Sequence, residues 1–225
     1  MKITGALTHS VYLLMPITIV MAFLLAPSAE ILGDYSRILY FHVPLAWVAS
    51  LAFTISGVLS ILHITVRKWS RSDLVELASN SAAVGLAFTI MAVITGSLWA
   101  RLTWGSYWNW DPRQTSIVFI LLIYIAYFCL RGALGGSKST IGSSYLVVAM
   151  LTLPFFIFVA PRITDSLHPD TIINIDRKIN MDTPMIITLV TAMVSFTMLY
   201  AFLFRLMNRL TAVKRSLEEH LHAID

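Results

Sequence analysis

The chain has 225 residues, of which 57% are hydrophobic and only 12% are charged, and its formal net charge is +4. Water-soluble domains carry about 25% charged residues, so this composition predicts a protein whose main solvent is lipid. The basic residues are too scattered for a nucleic-acid-binding surface. The single cysteine, Cys129, excludes an intramolecular disulfide and a CxxC redox pair, and no CxxCH motif of a c-type cytochrome occurs.

Six hydrophobic segments follow one another, and a helix of about 20 residues crosses the bilayer core. They cover residues 11–26 (extendable back to 5), 38–66, 77–100, 115–134, 141–161 and 184–204. None contains Asp, Glu or Lys, and Arg131 lies near an end, where it can reach the headgroups. The first segment is predicted to be an uncleaved anchor, because Pro27 occupies the candidate cleavage site. No linker or repeat divides the chain, so we predict one all-α membrane domain over residues 1–225 with six transmembrane helices.

The distribution of basic residues predicts the orientation. An even number of spans puts both termini on one side, with ten of the basic residues: Lys2, Arg67, Lys68, Arg71, Arg131, Lys138, Arg205, Arg209, Lys214 and Arg215. The other side has six: Arg37, Arg101, Arg113, Arg162, Arg177 and Lys178. The positive-inside rule then makes both termini cytoplasmic. The tail 214–225 is compatible with a short amphipathic helix.

An aromatic stretch, residues 104–111 (WGSYWNWD), lies in the predicted outer loop between spans three and four. Aromatic belts scatter Trp and Tyr around many helix ends, whereas three of the six tryptophans occur in this stretch and a fourth, Trp99, lies five residues before it. Trp104 and Trp108 would share a face of a helical turn, and Gly105 would let a ligand approach the backbone. Indole rings offer a stacking surface, so the stretch predicts a site for a flat apolar ligand. The candidate platform comprises Trp99, Trp104, Gly105, Tyr107, Trp108, Trp110 and Asp111.

Only two of the six histidines, His42 and His168, fall on the predicted outer side. A single interfacial histidine is most often a solvated or hydrogen-bonded ring. Two from distant parts of the chain, beside a dense aromatic wall, favour haem, because imidazole is a frequent axial ligand of haem iron. His63 is interpreted as an interfacial residue at the inner end of span two. The remaining histidines, His9, His220 and His222, are assigned to the termini.

Charged residues near the stretch have structural interpretations as well. Asp111 followed by Pro112 and Gln114 predicts a capping box that opens span four, which does not exclude a second role in holding the loop. Three arginines are near enough in sequence to pair with haem propionates: Arg101, Arg113 and Arg162. Positively charged residues of an outer loop also have other roles, so the assignment of these arginines to propionates is only one interpretation.

The pattern WGxxWxWD over 104–111 resembles the signature of the tryptophan-rich haem-handling family of cytochrome c biogenesis. The six spans, the length and His42 in Phe-His-Val-Pro resemble its six-span member of the system I maturation pathway. The system I haem lyase subunit and the system II synthase subunit have more spans. The residues after Asp111 are closer to the system II spelling of the motif, so a system II-type synthase subunit stays an alternative.

The resemblance implies that His42 and His168 are the axial ligands of a haem b and that Trp104, Trp108, Trp110 and Asp111 belong to the haem platform. It also implies a bacterial inner membrane location with the site facing the periplasm. The implied partners are a periplasmic haem chaperone, a two-component ABC transporter and a small single-span accessory protein.

We therefore predict a protein that holds haem between the aromatic loop and the outer ends of spans two and six, and transfers it. No nucleophile or acid–base pair is visible, so we expect no turnover chemistry by this chain. An electron-transfer b-type cytochrome would need paired histidines within the spans, where only His63 is available. A permease for a small polar substrate would be expected to carry intramembrane ionisable residues.

Overall fold

The computed structural model describes residues 2–30, 32–66, 71–135, 140–168 and 181–223. Six of its helices are long and apolar enough to cross a membrane, which confirms the predicted all-α class and number of spans. They are α1 (Lys2–Val20, continued by the π-helical turn Met21–Leu25), α2 (Leu39–Thr65), α3 (Arg71–Trp104), α4 (Pro112–Ala133), α5 (Thr140–Pro154, continued by Phe155–Val159 and Ala160–Arg162) and α6 (Thr183–His222). Five residues of the orientation count lie outside the described residues: Arg67, Lys68, Lys138, Arg177 and Lys178.

The helices alternate in direction, so the molecule has two ends. We call the end that contains residues 104–111 the aromatic end, and the end that contains the first residues of α1 and the last of α6 the terminal end. The start of α2, the end of α3, the start of α4 and the end of α5 lie at the aromatic end. This arrangement brings together the outer-side residues that the sequence singles out.

Helix α3 begins six residues before the predicted span, because its charged first turns are paired. Arg131 on α4 donates from Nη2 to both carboxylate oxygens of Glu76, at 2.9 Å each. Arg215 on α6 donates to Asp73 Oδ1 at 3.0 Å. Helix α6 has 40 residues, about 60 Å at 1.5 Å per residue, and its last turns include the tail 214–222. The tail is therefore helical, as expected, but continues α6 instead of forming a separate helix.

The core is built around α2, which packs against α3, α5 and α6. Its buried face carries small residues, including Ala49, Ala52 and Ser56, which let helices approach closely. Buried hydroxyls bond the neighbouring backbone: Ser56 Oγ donates to the Ala78 carbonyl at 2.8 Å, and Ser81 Oγ to the Ala52 carbonyl at 2.7 Å. These contacts satisfy polar groups where lipid offers no hydrogen bonds.

His63 is a core residue and not the interfacial residue that was predicted. It is only 4% exposed, and its Nδ1 lies 2.8 Å from Ser143 Oγ on α5. A buried imidazole that bonds a neighbouring helix contributes to packing between α2 and α5. The one histidine available for the electron-transfer alternative is thus engaged in the core.

Candidate functional site

A cavity of about 290 Å³ lies at the aromatic end, among α2, α3, α4 and α5. Its volume is at the lower end of the range for small-molecule sites. Most of its walls are apolar, and the polar or aromatic lining residues are His42, Ser50, Phe53, Thr89, Ser97, Trp99, Trp108, Arg113, Gln114, Ser116, Phe156 and His168. Both predicted ligand histidines face this one cavity. Among the described residues no lining side chain comes from α6, so the cavity includes the predicted contributions of the aromatic loop and span two but not that of the outer end of span six.

His42 lies in the first turn of α2, and its ring is held by α3. Its Nδ1 is 3.0 Å from Thr95 Oγ1, and that hydroxyl donates to the Met91 carbonyl at 2.8 Å. With its own proton directed at a backbone carbonyl, the threonine oxygen can accept from His42, an arrangement that assigns the imidazole proton to Nδ1. The lone pair is then on Nε2, the atom that can bind a metal.

Gly96 provides the space for this ring. A Cβ atom at position 96 would lie 2.8 Å from His42 Cε1 and 3.4 Å from Nδ1. The backbone of α3 therefore packs directly against the imidazole edge. Neither Thr95 nor Gly96 was singled out from the sequence, since hydroxyl and glycine residues are common in membrane helices and the contact spans 53 residues.

His168 is positioned by Asp111 and Trp104. Its Nδ1 lies 2.8 Å from Asp111 Oδ1, an ion-pair distance at which the ring N–H is not aligned for a hydrogen bond. The Trp104 ring packs edge-on against the imidazole, with 4.8 Å between centroids and 70° between planes. Two members of the aromatic stretch thus support the second candidate ligand.

Asp111 caps α4, as predicted, and also binds the segment that carries His168. Its Oδ1 accepts from the Arg113 backbone N–H at 2.8 Å. Its Oδ2 accepts from the Leu167 N–H at 2.7 Å and the Ser166 hydroxyl at 2.9 Å. The reciprocal half of the capping box differs, because Gln114 Oε1 accepts from the Asn109 N–H at 2.9 Å. Asp111 therefore joins the start of α4 to the segment after α5.

The surroundings set the protonation of this pair. Burial alone would raise the pKa of Asp111, but the Leu167 N–H, His168, the Arg113 N–H and the Ser166 hydroxyl together hold that pKa below its usual value. Burial, with Arg113 adding to it, lowers the pKa of His168 against the opposing charge of Asp111. At neutral pH the site thus contains a carboxylate beside a neutral imidazole, which is the form that ligates a metal.

The platform residues separate into a wall and an exposed edge. Trp99 and Trp108 line the cavity, and Trp99 is only 8% exposed. Trp110 is 78% exposed, Tyr107 is 57% exposed, and the Trp110 ring packs edge-on against Trp108 at 5.8 Å. Trp110 has a φ of +55°, a left-handed conformation that is costly for a bulky residue. Gly105, with a φ of +78°, follows the last residue of α3 and ends that helix.

The three candidate arginines are placed differently. Arg113 lines the cavity. Arg101 donates to the Gly105 carbonyl and lies over the Tyr107 ring at 5.8 Å. Arg162 donates to the Phe158 carbonyl at 2.8 Å, and both of these arginines lie outside the cavity lining. Of the three, Arg113 is the one whose side chain can contact a ligand inside the cavity.

Chemically, the site offers two imidazoles from distant parts of the chain that line one apolar and aromatic cavity. The Nδ1 atom of each ring faces a supporting oxygen, Thr95 Oγ1 or Asp111 Oδ1. A hydrogen bond at Nδ1 orients metal-bound histidines and fixes the tautomer, as Thr95 can do for His42, whereas Asp111 positions His168 by its charge and by its bond to the Leu167 N–H. The donor set therefore fits a flat, apolar ligand with a metal at its centre.

Comparisons with known proteins identify the family of the chain. The sequence model of the family described as Heme exporter protein C matches residues 1–223. The chain is 32% identical over 182 residues to Heme exporter protein C of Bradyrhizobium diazoefficiens, covering 80% of this chain and 67% of that protein. It is 28% identical over 201 residues to Heme exporter protein C of Rhodobacter capsulatus, covering 85% and 78%.

A ccmC-like mitochondrial protein of Marchantia polymorpha, named for cytochrome c biosynthesis, is 31% identical over 136 residues, covering 59% of this chain and 55% of that protein. The family match covers nearly the whole of the chain, including the six helices and the cavity. This multi-pass membrane protein therefore belongs to the Heme exporter protein C family.

Proposed function

We propose that this protein holds haem b at the periplasmic face of a bacterial inner membrane and delivers it to a periplasmic haem chaperone for c-type cytochrome biogenesis. Membership of the family connects the chain with haem export and cytochrome c maturation. The observation that carries the finer proposal is the convergence of His42 and His168 on one aromatic cavity.

The two histidines would ligate the haem iron through Nε2, one on each face of the macrocycle. Trp99 and Trp108 would contact the ring, and Arg113 is placed to pair with a propionate inside the cavity. Arg101 and Arg162 remain candidates for propionates that reach beyond the lining. Haem is cargo here, so the chain's own task is to bind it, orient it and leave one edge accessible, without turnover chemistry.

The exposed edge supports delivery at the aromatic end. Trp110 and Tyr107, at 78% and 57% exposure, would meet the chaperone. The basic residues near the termini support a periplasmic position for this end. The two-component ABC transporter and the single-span accessory protein are proposed from the family alone. No structural observation on the described residues favours electron transfer, and the family match over residues 1–223 is the reason to prefer this proposal to the system II-type synthase that the spelling after Asp111 left open.

The test is the visible spectrum of the purified protein, in wild type and in the His42→Ala/His168→Ala double variant. A six-coordinate haem spectrum in wild type that is lost in the double variant is expected. His220→Ala is the matched control, because this histidine is exposed near the end of α6 and should leave the spectrum unchanged. A wild type without six-coordinate haem, or a double variant with an unaltered spectrum, would refute the assignment of His42 and His168 as haem ligands.

A further inference from the structure

The last turns of α6 carry an exposed row of apolar side chains. Its members are Leu206, Leu210, Val213, Leu217 and Leu221, which are 41%, 56%, 67%, 59% and 55% exposed, respectively. Spacings of four, three, four and four residues keep them on one face of the helix. We call these five residues the apolar seam. Such a row is the pattern of a helix that packs along another helix.

The opposite face of the same turns is packed against α3. Asn80 Nδ2 donates to Asn208 Oδ1 at 2.8 Å and to Thr211 Oγ1 at 3.0 Å. Arg215 donates to Asp73 at 3.0 Å. With about 100° of rotation per residue, positions 208, 211 and 215 are centred on the side opposite the seam. These bonds orient α6 so that the seam points away from the rest of the described protein.

The seam extends beyond the length that the bilayer needs. A span of about 20 residues that starts at Pro184 ends just before Arg205. Because α6 is one continuous helix, residues 210–221 proceed along its axis for about 18 Å, and do not turn to lie along the membrane surface. Contiguous apolar side chains exposed in this way on a solvated helix mark an interaction site.

The charges beside the seam select the partner. With Leu210 and Val213 at the a and d positions of a heptad, Arg209 and Lys214 occupy the flanking g and e positions. Two parallel copies would bring Arg209 of one next to Lys214 of the other, which is repulsive. Lys214 lies 3.8 Å from Glu218, but both are well exposed, and such surface pairs contribute little. The flanks thus favour a partner with acidic residues.

We propose that the apolar seam binds an amphipathic helix of another protein, on the side of the membrane where the chain termini lie. That helix presents an apolar face to the seam, and Asp or Glu residues beside that face meet Arg209 and Lys214. Burial of the seam supplies the affinity, and the flanking charges supply the selectivity. This surface is distinct from the cavity at the aromatic end and does not depend on haem.

The test uses the full-length protein in nanodiscs of neutral lipid and two fluorescent heptad peptides with leucine at a and d. One peptide has Glu at e and g, and the other has Lys. We expect the Glu peptide to bind at least tenfold more tightly than the Lys peptide. The Leu210→Ser/Leu217→Ser variant should lose at least tenfold of this affinity. The matched control, Val148→Ser/Leu151→Ser, changes two similarly exposed residues of α5 and should bind like wild type.

Three results would overturn the proposal. The first is equal binding of the two peptides, or binding that the Leu210→Ser/Leu217→Ser change leaves intact. The second is a wild-type dimer that this change dissolves, because a second copy would then be the occupant. The third is lipid-like emission from a polarity-sensitive fluorophore attached at position 213 without peptide, because the seam would then be covered by the bilayer.

Discussion

Replacing Gly96 with alanine should change the position of the His42 ring without destabilising α3. On helix propensity alone, the change stabilises α3 by about 1 kcal/mol. The new Cβ would lie 2.8 Å from His42 Cε1, about 0.6 Å closer than the 3.4 Å at which ordinary contact begins. The ring must therefore tilt, and its bond to Thr95 at 3.0 Å is the contact that gives way. Loss of such an orienting partner lowers metal affinity about 10- to 100-fold.

The assay is a haem titration of the purified variant followed by its absorption spectrum, beside a thermal unfolding curve. We expect haem affinity to fall about 10- to 100-fold while the unfolding temperature stays at or near that of wild type. Gly132→Ala is the control, because this glycine lies in α4 with no atom within 4 Å of its added Cβ. Wild-type haem affinity in Gly96→Ala would refute the assignment of Gly96 as the residue that makes room for a ligating His42.

Three further outcomes are expected. Asp111→Asn replaces a carboxylate that accepts hydrogen bonds on both oxygens. Haem affinity, measured by titration, should therefore fall about 10- to 100-fold. A variant with wild-type haem affinity would contradict the role of Asp111 in holding His168. Since the pKa of His168 lies below its usual 6.5, protons compete with iron only in acid. Haem affinity should therefore be constant from pH 8 to 6.5 and decline below, and a tenfold loss within that range would count against the prediction. Glu76→Gln removes the charged partner of Arg131, and both side chains are only about one-fifth exposed. The free energy of unfolding, measured by thermal unfolding, should therefore fall by about 1–3 kcal/mol. Haem affinity should be unchanged. An unaltered unfolding temperature would exclude a stabilising role for this pair.

The membrane spans could be predicted because the hydropathy of a segment indicates whether lipid or water surrounds it. Their ends could not, since Asp73 and Glu76 are charged residues that look incompatible with a membrane helix until their arginine partners on α4 and α6 are known. In the candidate site, too, local features could be predicted and long-range contacts could not. His42 and His168 were singled out because few histidines lie on the predicted outer side, and both line the cavity, while Asp111 was correctly predicted as a cap. Its second oxygen binds residues 55 and 56 positions away, a contact that local pattern does not contain.

The two candidate ligands are held by different numbers of contacts, which suits the proposed transfer of haem to an acceptor. His42 lies on a helix packed into the core, with α3 against its ring and Thr95 on its Nδ1. His168 lies on a segment without regular structure that Asp111 joins to the start of α4. Breaking the contacts of that one carboxylate would withdraw one axial ligand and leave the other in place. We therefore expect transfer to begin at His168, with haem still held by His42 as its exposed edge meets the acceptor.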